Sequence, residues 1–155
     1  MKLLVDSSVW SLALRRRKAA GLNPEEQKLK AELVQAIQNG RVAMLGLIRQ
    51  ELLSGIKERD QFDQVKAALD PYLDEQINTA DHVYAARIYN ECRSQGVEAG
   101  TVDNLICAVA VRRGWEVLSG DGGLNRCFAV AKKFHKEQTR PAATGPVRTR
   151  RTTRK

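Results

Sequence analysis

Leu3-Leu4-Val5-Asp6-Ser7-Ser8 opens the chain with a short apolar run that stops on a carboxylate and two hydroxyls. The run predicts a buried strand, and the residues after it predict a helix capped by Asp6, Ser7 or Ser8. The first strand therefore ends on an acid. Residues 42–45 (Val-Ala-Met-Leu) repeat the pattern as a second strand, followed by a helical stretch over 47–56 that is interrupted at Gly55. Residues 115–119 (Trp-Glu-Val-Leu-Ser) give a third strand that runs into Gly120-Asp121-Gly122-Gly123, a turn. Helices fill the intervals. Asn23-Pro24-Glu25-Glu26 supplies a cap, a proline at the first helical position and an acid at the third. Phe62, Val65, Ala68 and Leu69 outline a helix stopped by Asp70-Pro71, Thr79 and Asp81 open another, and Thr101 can cap one over 102–113. Strands alternating with helices predict a parallel sheet covered on both faces, with its site beyond the carboxyl ends of the strands.

At 155 residues and 43% hydrophobic content, the chain is expected to form one domain with a short extension and no second catalytic domain. The net charge of +8 and a pI near 9.7 favour an anionic partner. Much of that charge is concentrated at one end, since residues 136–155 carry seven basic side chains against Glu137 alone. From Thr139 onward there is no Leu, Ile, Phe, Trp or Tyr to offset the entropy of ordering. The expected organisation is a folded domain over 1–135 and a disordered basic tail over 136–155. The tail has two readings, contact with nucleic-acid phosphates or a solubilising or cloning-derived end.

Cys92, Cys107 and Cys127 form no C-x-x-C pair, and His82 and His135 are the sole histidines. A zinc site, a disulfide framework and a Ser-His-Asp triad are therefore not expected, and the thiols should pack as small apolar groups in a reducing compartment. Asp6 falls where a signal peptide needs its apolar stretch, and no run approaches a membrane span, so the expected location is the cytoplasm, away from any membrane.

Four acids stand out by position. Asp6 and Asp121 follow predicted strands, Glu51 lies in the first turns after the second strand, and Asp103 lies in the first turn of a helix. Asp103 heads an apolar stripe with Ile106, Cys107, Ala110 and Val111, and Glu51 shares a face with Leu47 and Ile48. Clustered carboxylates raise one another's pKa and stay ionised when cations neutralise them; all-oxygen donors select Mg²⁺ or Mn²⁺. The chemistry implied is metal-assisted phosphodiester hydrolysis. Capping accounts for any one of these acids taken alone, but not for four at one sheet edge. Asp60, Asp63, Asp70, Asp74 and Glu75 fall in polar stretches and are expected to be solvated.

Leu3-Leu4-Val5-Asp6-Ser7-Ser8-Val9-Trp10, Glu51, Thr101-Val102-Asp103-Asn104-Leu105-Ile106-Cys107-Ala108 and Ser119-Gly120-Asp121 together resemble PIN-domain ribonucleases of the VapC toxin type. The resemblance spans about residues 1–134. It implies an α/β fold, a PIN-like three-layer sandwich whose central, mainly parallel sheet is flanked by helices. It also implies a Mg²⁺ site (Mn²⁺ as substitute) on Asp6, Glu51, Asp103 and Asp121, helped by a hydroxyl from Ser7 or Ser8. An RNA substrate, a VapB-type antitoxin and a homodimer follow from the same resemblance. One departure is visible: an aromatic usually stands three residues after the fourth acid, where this chain has Leu124.

Candidate RNA contacts are Arg15, Arg16 and Arg17 (with Lys18 beside them), Arg112 and Arg113, and Arg148, Arg150 and Arg151 in the tail. The competing reading keeps the fold and the basic tail in a nucleic-acid-binding module that cleaves nothing. Haloacid-dehalogenase phosphatases need a second aspartate where Ser8 stands, response-regulator receivers need paired acids beside the first strand, and Gly120-Asp121-Gly122-Gly123 lacks the residues of a P-loop.

Overall fold

The computed structural model describes residues 1–15, 21–143 and 145. Three strands, β1 (Leu3–Val5), β2 (Val42–Ala43) and β3 (Glu116–Leu118), pair in parallel with β1 in the centre. Leu4 lies opposite Ala43 on one side and Val117 on the other. Leu4 and Val5 are completely buried, as expected for a central strand covered on both faces. Burial of one such aliphatic side chain is worth about 1.5–3 kcal/mol.

Seven helices surround this sheet among the described residues. Helices α1 (Ser7–Leu14), α2 (Pro24–Gln38), α3 (Gly46–Leu53) and α4 (Arg59–Leu69) form one group, with α1 against α2 and α3, and α3 against α4. Helices α5 (Thr79–Ser94), α6 (Thr101–Arg113) and α7 (Gly122–Gln138) pack on one another as a second group. The architecture is an α/β sandwich with an open parallel sheet. Because β2 and β3 flank β1 on opposite sides, connections leave the end of β1 in both directions. Asp6 stands at that end, where a crevice forms in open α/β sheets.

Local chemistry sets most boundaries. The Asn23 side chain accepts the Glu26 N–H at 2.8 Å while Glu26 reaches back to the Asn23 N–H, and Pro24 needs no partner at the first helical position. Helix α6 ends at Gly114 in the left-handed conformation, φ 69°, which a residue without Cβ adopts freely. Both outer strands are shorter than expected. Met44 leaves β2 to bridge Asp74, and Trp115 and Ser119 lie outside β3. Gly100 rather than Thr101 caps α6. Helix α7 corrects the reading of residues 120–123 as a simple turn, and it carries regular structure through Lys136, Glu137 and Gln138, past the expected boundary at 135. Beyond it, residue 144 and residues 146–155 lie outside the described residues. Asp74 and Glu75, expected to be merely solvated, pair with Arg49 at 3.0 Å and Lys2 at 2.6 Å.

Asp81, at the third position of α5, is fully buried and closes a capping box with Asn78. Arg112 and Arg113, at the end of α6, both bond its carboxylate; Arg113 does so with two nitrogens, each at 3.0 Å. Burial alone would raise the Asp81 pKa, but the bonds from Arg113, the Asn78 backbone and Arg112 outweigh it and hold the group at about 2. A carboxylate held low contributes stability that is complete above its ordinary value and is lost as pH falls through about 2. Asp81→Ala leaves two arginines facing a void and should cost about 3–5 kcal/mol. Urea unfolding at neutral pH checks this, and the gap between wild type and variant should close towards pH 2. An unchanged midpoint at neutral pH would show that the triad is solvated.

Candidate active site

The end of β1 places Asp6 in a cage of hydroxyls. Asp6 is 7% exposed, and its Oδ2 accepts from Ser8 Oγ at 2.8 Å and from Ser119 Oγ at 2.9 Å. Ser7 Oγ reaches Oδ1 only at 3.5 Å, so Ser8 is the effective partner of the expected pair. Each of the two main hydroxyls also accepts a backbone N–H from the turn after β3: Gly120 N–H on Ser8 at 3.0 Å, and Asp121 N–H on Ser119 at 2.9 Å. The turn is thereby fixed to Asp6. A Cβ on Gly120 would come within 3.3 Å of Leu29 and 3.7 Å of the Ser8 hydroxyl, so the close approach suits glycine.

Asp121 caps α7, with Oδ1 accepting the N–H groups of Gly123 at 2.7 Å and Leu124 at 3.3 Å. One of its oxygens is thus committed to the backbone. Asp103 is half-buried in the first turn of α6. Its pKa is raised, first by burial and then by the negative charges of Asp121, Asp6 and Glu51, against a lowering bond from the Gly100 N–H. Asp121, Asp6 and Glu51 therefore each lie within electrostatic reach of Asp103. Glu51, in the second turn of α3, is the exposed member with Asp121.

The donor set is all oxygen, which fits a hard divalent cation. Among the described residues no three His, Cys, Asp or Glu side chains are gathered tightly enough to enclose an ion. An open set of carboxylates suits Mg²⁺, which keeps several of its waters and takes one or two carboxylates directly.

Residues 3–127 match the PIN domain family. The chain belongs to the PIN domain family. PIN domains are generally nucleases. Among solved structures, the crystal structure of FitAcB from Neisseria gonorrhoeae is similar, with a TM-score of 0.63 and 18% identity over 83% of this chain and 92% of that chain. That likeness concerns the fold. No curated protein matches the sequence.

Two positioning residues of this PIN domain escaped the sequence reading although both stand inside its quoted motifs. Ser119 shares the Asp6 oxygen with Ser8. Asn104 is 2% exposed; its Nδ2 donates to the carbonyls of Ala99 at 3.3 Å and Gly100 at 2.9 Å, and its Oδ1 accepts the Cys127 thiol at 3.4 Å. Asn104 thus fixes the loop that presents Asp103. The thiols are buried and free, with Cys92 Sγ 3.7 Å from Cys127 Sγ, and burial pushes Cys92 up to about 12. Trp10 is core, edge-on to Tyr72 at 5.3 Å.

The expected RNA-contacting arginines divide. Arg112 and Arg113 are both bonded to the Asp81 carboxylate. Arg15 is exposed at the end of α1. Arg16, Arg17, Lys18, Arg148, Arg150 and Arg151 lie outside the described residues.

Because its pKa is raised, Asp103 costs the metal-free fold stability once pH rises through its folded value, and that cost is absent below the ordinary 3.8. Asp103→Asn should therefore melt higher than wild type in EDTA at neutral pH, with the gap closing in acid. A lower melting temperature at neutral pH would mean that the four charges do not strain one another.

Proposed function

We propose that this PIN domain is a Mg²⁺-dependent endoribonuclease, the toxin of a type II toxin–antitoxin pair, with Mn²⁺ able to replace Mg²⁺. The observation that carries the reading is the Asp6 carboxylate, held by Ser8 and Ser119 at the end of the central parallel strand, with Asp103 near enough that its pKa is raised, after burial, by the charges of Asp121, Asp6 and Glu51. Such mutual repulsion is unfavourable in a scaffold and useful around a cation.

Asp6, Glu51, Asp103 and Asp121 would hold the metal. When bound, the cation supplies Lewis-acid polarisation of the phosphate and a more acidic water. Hydrolysis adds water to phosphorus and breaks one P–O bond of the RNA backbone, so a proton must leave the water and one must reach the departing oxygen. The chain's own contribution is positional. The Ser8 and Ser119 hydroxyls aim Asp6 without neutralising it, since they donate hydrogen bonds and carry no charge. The α7 cap orients Asp121 through one oxygen and leaves the other outside the cap. Arg15, Arg16 and Arg17 and the tail arginines Arg148, Arg150 and Arg151 would add attraction to phosphates.

The similarity to VapC-type toxins supports a VapB-type antitoxin covering this acidic site, a homodimer and action in the cytoplasm. No helix among the described residues is long and apolar enough to cross a membrane.

Purified full-length protein should cleave single-stranded RNA with Mg²⁺ and stop in EDTA, with Mn²⁺ restoring turnover. Asp6→Asn and Asp103→Asn should each lower the rate about 100-fold or more, the scale of roughly 3 kcal/mol of transition-state stabilisation. Tight RNA binding with no cleavage by wild type, at a rate indistinguishable from Asp6→Asn, would instead identify a non-cleaving PIN-like binding module.

A further inference from the structure

Asp103 forms one wall of an open cavity of about 360 Å³, whose other walls are Tyr89, Arg93, Glu98, Ala99 and Gly100. Its size is near the lower end of ligand cavities, about 300–1,000 Å³, which is room for one nucleotide unit of a strand. Tyr89 and Arg93 lie one turn apart on α5. Arg93 Nη1 donates to Tyr89 Oη at 3.3 Å, and the guanidinium carbon sits 5.8 Å from the ring centroid. The two side chains are therefore ordered by each other rather than by the core.

Arg93 makes no ion pair among the described residues, although Glu98 and Asp103 line the same cavity. By contrast Arg49, Arg112 and Arg113 are each bonded to a carboxylate. A guanidinium without a carboxylate partner, in a cavity that Asp103 walls, is suited to an anion that approaches that acid. Tyr89 is 39% exposed and also walls a second, mainly apolar cavity of about 400 Å³ with Ala86, Asn90, Val102 and Leu105. A ring standing between a polar and an apolar hollow has the chemistry to lie against a nucleobase, whose face is apolar and whose edge is polar.

We propose that the cavity between α5 and Asp103 is a nucleotide subsite, in which Arg93 pairs with an RNA phosphate beside the scissile one and the Tyr89 ring lies against the adjoining base. This rests on the nuclease reading above and extends it to residues outside the acidic set. Glu98 repels phosphate, so the phosphate belongs on the Arg93 side. Glu98 then faces the ribose hydroxyl or the N–H donors of the base.

The test uses full-length protein and a short fluorescent single-stranded RNA of mixed sequence, titrated at several salt concentrations, with cleavage kinetics in Mg²⁺ measured in parallel. Arg93→Ala should weaken binding and lower the slope of log affinity against log salt by about 0.7, one phosphate contact to a single strand. Arg93→Lys should keep the slope. Tyr89→Ala should weaken binding about fivefold or more with the slope unchanged, and Tyr89→Phe should restore it. In cleavage both losses should fall on KM. Both side chains are solvent-exposed, and unchanged melting curves will show that the variants fold.

If wild type cleaves RNA and Arg93→Ala binds it with the same affinity and slope, the subsite is overturned and the nuclease stands. If Tyr89→Phe behaves like Tyr89→Ala, the stacking role is overturned. If wild type neither binds nor cleaves RNA in Mg²⁺, the nuclease reading and the subsite fall together.

Discussion

The buried carboxylate of Asp6, held by two hydroxyls at the end of the central strand, is the constraint on which the site depends. An ion 7% exposed has lost most of its hydration, and such a loss is tolerated when hydrogen bonds replace it. Ser8 and Ser119 supply that replacement from different ends of the chain. Hydrogen bonds to a charged group are each worth about 1.5–3 kcal/mol net. Because each hydroxyl has a second partner in the backbone at 120–121, the same bonds also fix where α7 begins. The position of Asp121 is therefore a consequence of the position of Asp6.

The other acids are restrained by different means and to different degrees. Asp121 is tied through a helix cap, Asp103 through the Gly100 N–H and a loop pinned by Asn104, and Glu51 projects from the second turn of α3. Asp6 and Asp121, so held, cannot move away from Asp103 to relieve their repulsion. Asp103, which lies half-buried, has its pKa raised by that burial first and then by the charges of the other three. A fold that held these groups for packing alone would gain by replacing Asp103 with its amide, since Asn104, its neighbour, already secures the loop.

The parts of this arrangement that were legible in the sequence are those set by local chemistry. Strand β1 ends on Asp6, Asn23 and Pro24 start α2, and Gly114 ends α6, because apolar runs, caps and left-handed turns are properties of a few adjacent residues. The rest depended on partners far away in the chain. Arg112 and Arg113 read as a surface charge pair until Asp81, about thirty residues earlier, is seen buried between them. Ser119 has a role only when β3 lies beside β1. Helix α7 had a local signal in Leu124, Cys127, Phe128 and Ala131, which recur at helical spacing and are buried. Two glycines at its start obscured that signal, and the Asp121 cap is what lets a helix begin on them.

The charge distribution follows from the same pairings. Lys2, Arg49, Lys66, Arg112 and Arg113 are each matched to a carboxylate of the fold, so their charges contribute little to the field felt by an approaching polyanion. The net +8 is therefore expressed through cations that the fold leaves unmatched, of which Arg15 and Arg93 are among the described residues. A strand drawn in by diffuse charge alone would be attracted to the protein as a whole and repelled from its acidic edge. A guanidinium in the cavity that Asp103 walls would change that balance locally. In the proposed subsite Arg93 would offset that repulsion for a phosphate approaching the carboxylates, from a helix that fixes register as well as sign.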